Sequence, residues 1–268
     1  MKQKISILGI GWLGKPLAKR LIADGYSVKG STTSEEKLEV LQDLGMEAYQ
    51  VNLNHLHKNI SYFLDSDILI VAIPFKDVMA FQKFRLEVEK SPIKKVIFIS
   101  STSVYEATNQ ILSEKTLHAR TDLAVIEDFF RNNSQFSATI VRFSGLMGYE
   151  RKPGNFFPEG KIIPNPNGFV NMIHQDDCVQ IISRIIEKNI WNETFNACAD
   201  THPTRREFYT KAAAKIGRPT PEFQPQDDSA FKIVSNQKLK VFLDYTFKYP
   251  DVLQIEEEED ARDHASQG

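Results

Sequence analysis

Through the first half of the chain, short unbroken apolar runs alternate with stretches in which apolar residues recur every three or four positions. The runs Ile5–Leu8, Ser27–Gly30, Glu47–Val51, Ile68–Ile73, Val96–Ser100 and Ala138–Val141 predict buried strands. The periodic stretches Leu13–Ala23, Glu35–Leu44, Asp77–Glu89 and Leu117–Asn132 predict helices between them. Strands separated by helices make crossover units, and these give a parallel sheet covered on both faces. The pattern therefore predicts an α/β fold with a doubly wound parallel sheet. After Gly148 the periodicity lapses: ERKPGNFFPEGKIIPNPNG, with four prolines, reads as an inserted loop. Helical spacing returns at Asp176–Lys188, Thr204–Ile216 and Ser235–Leu243, with a strand-like run at Thr194–Cys198.

Composition narrows the class. The 268 residues are 41% hydrophobic and 25% charged, enough for one large core with a smaller lobe. No run approaches the roughly 20 apolar residues that span a bilayer, and the first residues do not read as a signal peptide. The net charge of −2 sits in the tail, where IEEEEDARDHASQG ends the chain; this segment is expected to be solvated and disordered. The remaining body is near neutral, which gives no case for nucleic acid. Cys178 and Cys198 are the only cysteines and lack metal-ligand spacing, so free thiols, no metal site and a reduced, cytoplasmic location are expected.

The most specific local signal is SILGIGWLG at residues 6–14. Gly9, Gly11 and Gly14 stand at the spacing G-x-G-x-x-G, behind a strand and ahead of a helix. In that context the first glycine allows a tight turn, the second lets a pyrophosphate approach, and the third permits close helix–strand contact. Trp12 and Leu13 complete the loop, and Ala72, Ile73 and Pro74 end the strand of LIVAIP on the ligand-binding side of such sheets. At the end of the second strand, GSTTSEEK offers the hydroxyls of Ser31, Thr32 and Thr33 where an NAD site carries a carboxylate for the ribose. The expected cofactor is NADP, with NAD the alternative. A helix cap at Thr33 or Ser34 explains the same residues in part.

Residues 97–105, IFISSTSVY, end a buried strand in hydroxyl residues. Here the chain resembles the extended short-chain dehydrogenase/reductase family of nucleotide-sugar epimerases and dehydratases, in which the fifth strand ends S-S-x-x-V-Y-G. The resemblance continues in VRFSGLMG (141–148), NMIHQDDC (171–178) and FNACAD (195–200). It implies a Rossmann-type domain over 1–148 plus 173–200 and a small substrate lobe over 149–172 plus 201–250, which with the composition leaves 251–268 as the acidic tail. It also implies that Ser101 holds a substrate oxygen, that Ser100 lies at the cofactor, and that Arg142, Ser144, Tyr149, Asn171 and His174 line the substrate cleft. For Arg142 a structural ion pair is an equal expectation. Asp176 and Asp177 are expected to cap the helix that follows them.

One part of the family pattern is missing. The Tyr-x-x-x-Lys pair that carries proton transfer falls, aligned through Glu127, on Ala119 and Leu123. Substitutes within the chain are Tyr105, Tyr149, and His118, which an i,i+4 spacing would set beside Asp122 on one helix face. Two readings follow. The first is an oxidoreductase or epimerase/dehydratase acting on a small carbonyl or sugar substrate with a non-standard acid/base. The second is a non-catalytic module of the same fold that senses NADP. A 6-phosphogluconate- or hydroxyacid-type dehydrogenase shares the glycine loop and LIVAIP but not the later motifs. Partners beyond substrate, cofactor and a second copy (monomer or homodimer) are not implied.

Overall fold

A computed structural model describes residues 2–57, 60–225 and 230–255. Of the acidic tail expected over 251–268, the part from residue 256 onward lies outside the described residues. Val252 and Ile255 are buried in a core cluster, so the folded body runs on to Ile255 because these apolar side chains have a surface to cover. In chain order the elements are β1 (Lys4–Leu8), α1 (Gly14–Ala23), β2 (Ser27–Thr32), α2 (Leu38–Asp43), β3 (Glu47–Gln50), α3 (Ile60–Phe63), β4 (Ile68–Val71) and α4 (Val78–Lys90). Then come β5 (Lys95–Ser101), β6 (Gln110–Leu112), α5 (Asp122–Arg131), β7 (Ser137–Phe143), β8 (Gly145–Met147), β9 (Met172–His174), α6 (Gln175–Glu187), β10 (Thr194–Ala197), α7 (Arg205–Lys215), β11 (Lys232–Val234) and α8 (Gln237–Leu243).

Seven strands form one sheet in the order β10-β7-β5-β4-β1-β2-β3, and every pairing is parallel. This is the doubly wound Rossmann-type α/β fold that the alternation of runs predicts. The strand order reverses between β1 and β4, so a crevice opens outside their carboxyl ends, and the glycine loop leaves β1 at that point. Continuous apolar runs are what a two-faced core requires: all of Ile68–Val71 is buried. One face packs Leu17, Ala18 and Leu21 of α1 against Ile181, Ile182 and Ile185 of α6. The other packs Phe81 and Phe84 of α4 against Ile126 and Phe130 of α5, with Phe98 and Phe130 stacked at 4.9 Å between centroids. A third, smaller cluster joins Met147, Ile163, Met172, Phe208 and Tyr209.

Three departures from the expected elements matter for the site. Helix α5 begins at Asp122, capped by the Thr121 side chain, and not at Leu117. Residues 117–121 are instead held by the bond from Ala119 N–H to the Val104 carbonyl, so His118 and Asp122 do not share a helix face. The pairs β8–β9 and β6–β11 are too short, at three residues each, to leave a readable period. Leu239, Leu243, Tyr245 and Phe247 pack into the α1/α6 layer, so that part of 201–250 joins the main core rather than the third cluster.

Candidate functional site

The glycine loop uses its three glycines for different reasons. Gly9 has φ +99°, and a Cβ there would lie 2.4 Å from Ile73 Cγ2 and 2.8 Å from the Ala72 carbonyl oxygen. A Cβ on Gly14 would lie 2.1 Å from the Gly9 carbonyl oxygen. Both positions therefore hold glycine because chain meets chain. At Gly11 the Cβ direction is open, with no atom within 4 Å. Helix α1 has Leu13 at its N-cap and no side-chain cap, so no side chain answers the N–H groups of its first turn. Tight packing on two sides and an open face on the third fit a dinucleotide diphosphate laid against the helix end.

Around this loop the expected cofactor residues divide. Ala72 and Ile73 wall Gly9, and Pro74 and Thr33 are exposed. Ser31 is 1% exposed, and its hydroxyl oxygen accepts the Gly9 N–H at 3.0 Å, which makes it a strut of the loop rather than a hydroxyl offered to a ligand. Thr32 Oγ1 accepts the Ser34 N–H. Leu13 is buried in the core, leaving only its backbone for a ligand. The Trp12 carbonyl accepts from Gln175 Nε2 at 2.8 Å, a contact that ties the loop to the start of α6 and that no sequence signal announced.

At the end of β5 the outcome is different. Ser101 is half-buried and its hydroxyl oxygen accepts the Ser103 N–H at 3.1 Å. Ser100 is buried and donates to Glu127 Oε1, so it is turned into the fold and away from a cofactor. Glu127 is fully buried on α5 and takes Arg142 Nε at 2.9 Å and Nη2 at 2.5 Å. Arg142 Nη1 donates to Tyr105 Oη at 2.6 Å, and Tyr105 donates to Asn196 Oδ1 at 2.9 Å. Burial alone would raise the Glu127 carboxyl, but Arg142, Ser100 and Arg131 outweigh it and hold its pKa below the ordinary value. Burial keeps the Tyr105 phenol above its usual range against the pull of Arg142. Arg142 therefore forms the structural ion pair and does not reach for substrate, and Tyr105 is locked in the same network instead of facing a cleft.

The remaining expected residues are largely structural. Asn171 donates to the Lys232 carbonyl at 2.9 Å and accepts the Val234 N–H at 2.8 Å, fastening β11. His174 is fully buried, caps α6 through the Asp176 N–H, and packs its ring 4.1 Å from that of Tyr249. The capping expected of the two aspartates is thus done by this imidazole. Asp177 accepts instead from Tyr245 Oη and from the Lys248 and Tyr249 N–H groups. Ser144 is buried and turned into the fold, and among the described residues its hydroxyl has no hydrogen-bond partner. Tyr149, at φ +51°, donates to Asp176 Oδ1 at 2.8 Å; burial and that carboxylate push its pKa up. His118 is half-buried, with Nδ1 3.3 Å from the Ala119 carbonyl oxygen. Two residues unforeseen in the sequence flank these positions. Lys232 Nζ donates to the carbonyls of Thr102 and Tyr105, and desolvation lowers its pKa. Glu127 carried a signal, a charge amid apolar helix positions. No cluster of metal-ligating groups exists among the described residues. None of their helices is long and apolar enough to cross a membrane.

A cavity of about 300 Å³ lies elsewhere, among Gly154, Phe157, Lys161, Tyr209 and Arg218, and none of the glycine-loop or β5 residues lines it.

Comparison with known proteins agrees with this fold. The fold is shared with NAD-dependent epimerase/dehydratase and short-chain dehydrogenase/reductase proteins. UDP-glucuronic acid 4-epimerase from Bacillus cereus, in complex with NAD, superposes with a TM-score of 0.73 at 20% identity, covering 94% of this chain and 96% of that one. A conserved protein of unknown function from Silicibacter pomeroyi gives a TM-score of 0.78 at 18% identity, covering 94% and 96%. The family described as NADP oxidoreductase, coenzyme F420-dependent, matches residues 4–103, from β1 through the Ser100–Ser101 strand end. Protein YeeZ of Escherichia coli K12 is 30% identical over 269 residues, covering 94% of this chain and 98% of its own. The chain belongs to the family of Protein YeeZ.

Proposed function

We propose that this protein is a dinucleotide-dependent oxidoreductase or epimerase/dehydratase acting on a small carbonyl or sugar substrate. NADP is the preferred cofactor in this reading and NAD the alternative. The observation that carries it is the glycine loop at the sheet's switch point, tight at Gly9 and Gly14 and open at Gly11. When bound, the dinucleotide supplies the hydride donor or acceptor. Gly11 leaves room for its diphosphate, and the positive end of α1 meets the charge, while the Lys15 and Leu17 N–H groups stay bonded to the Gly11 and Leu13 carbonyls. The preference for NADP rests on Thr32 and Thr33 at the end of β2, where no carboxylate repels a 2′-phosphate. Ser101 holds the substrate oxygen, and the region over 149–172 with the chain after 201 covers the substrate. The protein works in the cytoplasm as a monomer or homodimer.

A specific observation favours a second reading, a module that binds NADP without turning it over. Tyr105 is buried in the Glu127–Arg142 network, Tyr149 is bonded to Asp176, and His118 has lost its helical partner. Calorimetric titration with NADPH and NADH tests the shared premise: tighter binding of NADPH supports it, and no binding of either overturns it. Cofactor turnover on a panel of sugar-nucleotide and carbonyl substrates separates the readings. Loss of that turnover in Ser101→Ala, with cofactor affinity retained, assigns Ser101. Binding without turnover on the whole panel favours the sensor.

A further inference from the structure

Arg151 lies on the loop after β8, and its guanidinium carbon sits 5.9 Å from the centre of the Trp12 ring and 5.6 Å from that of Phe156. Trp12 belongs to the glycine loop and Phe156 to the proline-rich segment, so the arginine is held where the two meet. Its Nε donates to the Leu146 carbonyl at 2.7 Å, and its backbone exchanges hydrogen bonds with Gly148 in both directions. The backbone is thereby fixed and the plane of the guanidinium set. Among the described residues neither terminal nitrogen has a carboxylate or carbonyl partner, although every ordinary means of positioning the side chain is in place. The same side chain is exposed, so its two NH₂ groups remain available to a ligand. Next to Trp12 is Gly11, the open face of the loop.

A guanidinium with a pinned Nε and free terminal nitrogens presents a planar fork, the geometry that matches phosphate oxygens two at a time. A lysine at the same place would offer a point charge without the planar two-nitrogen fork. We propose that Arg151 is a cofactor-binding residue that closes over the dinucleotide's diphosphate from the small-lobe side, opposite the N-terminal end of α1. This rests on the reading of the glycine loop as a dinucleotide site and adds to it a clamp from outside the loop. The diphosphate is common to NADPH and NADH, so the clamp serves both, and selection between them stays at the end of β2.

The test is calorimetric titration of wild type, Arg151→Ala, Arg151→Gln and Arg151→Lys with NADPH and with NADH, with thermal unfolding recorded for each. Arg151→Ala and Arg151→Gln are expected to raise Kd for both cofactors by tenfold or more without lowering the unfolding temperature of the free protein. Arg151→Lys should recover part of the loss, and the difference from wild type should shrink as salt is raised, because a phosphate contact is screened. Gln guards against a loop collapsed by Ala, since its amide still packs between the two rings. Affinities within twofold of wild type in both neutral variants overturn the clamp while leaving the glycine-loop site intact. So does a loss confined to one cofactor, which would put the arginine at the adenosine end. Failure of wild type to bind either dinucleotide overturns the site itself.

Discussion

The glycine loop and the end of β5 sit on the same edge of one sheet, yet they treat their polar groups in opposite ways. At the loop, Gly11 faces open space, α1 has no side-chain cap, and among the described residues no carboxylate or carbonyl takes the terminal nitrogens of Arg151. At the end of β5, Ser100, Glu127, Arg142, Tyr105 and Asn196 are buried and joined in one run of bonds. A group left without a protein partner at a surface is available to a ligand, whereas a buried and paired one holds the fold together. The difference teaches that the glycine-loop side leaves its backbone groups and space open, as the proposed cofactor site requires. The half where the resembling family does its proton chemistry is built mainly to stay closed. Substitutions should separate the two regions, one affecting binding and the other stability.

The largest expected effect is on binding. Gly11→Leu projects a side chain into the open face and should abolish detectable NADPH binding while leaving thermal unfolding almost unchanged. Gly14→Ala should instead lower stability, since its Cβ meets the Gly9 carbonyl oxygen at 2.1 Å. Paired denaturation and titration experiments check both, and a Gly11→Leu protein that still binds NADPH would break the comparison at its first term.

Next in size is the buried ion pair. Arg142→Met leaves Glu127 in the interior with only Ser100 and Arg131. Breaking a buried pair costs about 3–5 kcal/mol, and Arg131 should keep this case near the lower end. Urea unfolding measures it. NADPH affinity of the folded fraction should not change, because the network does not reach the glycine loop. A cofactor defect in Arg142→Met would show that the two regions are coupled after all.

How much of this could be read beforehand follows from the same contrast. Long elements with two buried faces announced themselves through their apolar runs, and the glycine spacing announced the loop, because backbone geometry there restricts the residue type. The functions of Tyr105, Asn171 and His174 were not readable, and for Arg142 the ion pair was one of two readings the sequence left open. Whether an arginine after a strand meets a buried glutamate or a ligand depends on a partner 15 residues away that periodicity presents as a helix position. His118 was misplaced because apolar spacing runs on through Leu117, while the cap at Thr121 and the Ala119–Val104 bond start the helix later. Lys232 and Gln175 gave no signal, since bonds to distant carbonyls leave no trace in spacing.

A smaller effect comes from pH. Glu127 has its pKa held below 4.5 in the folded protein, so it adds stability above its unfolded pKa and that contribution is lost as pH falls through the folded value. Asp176, kept low by Lys248 and Tyr149 despite burial, has the same sign. Asp177 opposes them, because burial holds it above the ordinary value. Stability measured from about pH 6 down to about pH 3 should therefore decline, and Glu127→Gln should flatten part of the slope. An unchanged slope in that variant would remove the carboxylate from the account.

The smallest effect probes opening of the two regions in the native state. Cys178 and Cys198 are both free and fully buried; burial raises the first thiol well above its usual value and pushes the second up to about 12. Neither should react with an alkylating agent while the protein is folded, and both should react once it is denatured, so labelling rates report local opening. Cys178 lies on α6, which packs on α1 and is tied to the glycine loop through Gln175. Cys198 follows β10, next to Ser144 and the Met172 carbonyl. A ligand stabilises whatever state it binds, so saturating NADPH should slow labelling at Cys178 by more than at Cys198. Equal slowing at both sites would mean that the thiols are exposed only by global unfolding. The loop and the buried network would then open as one unit.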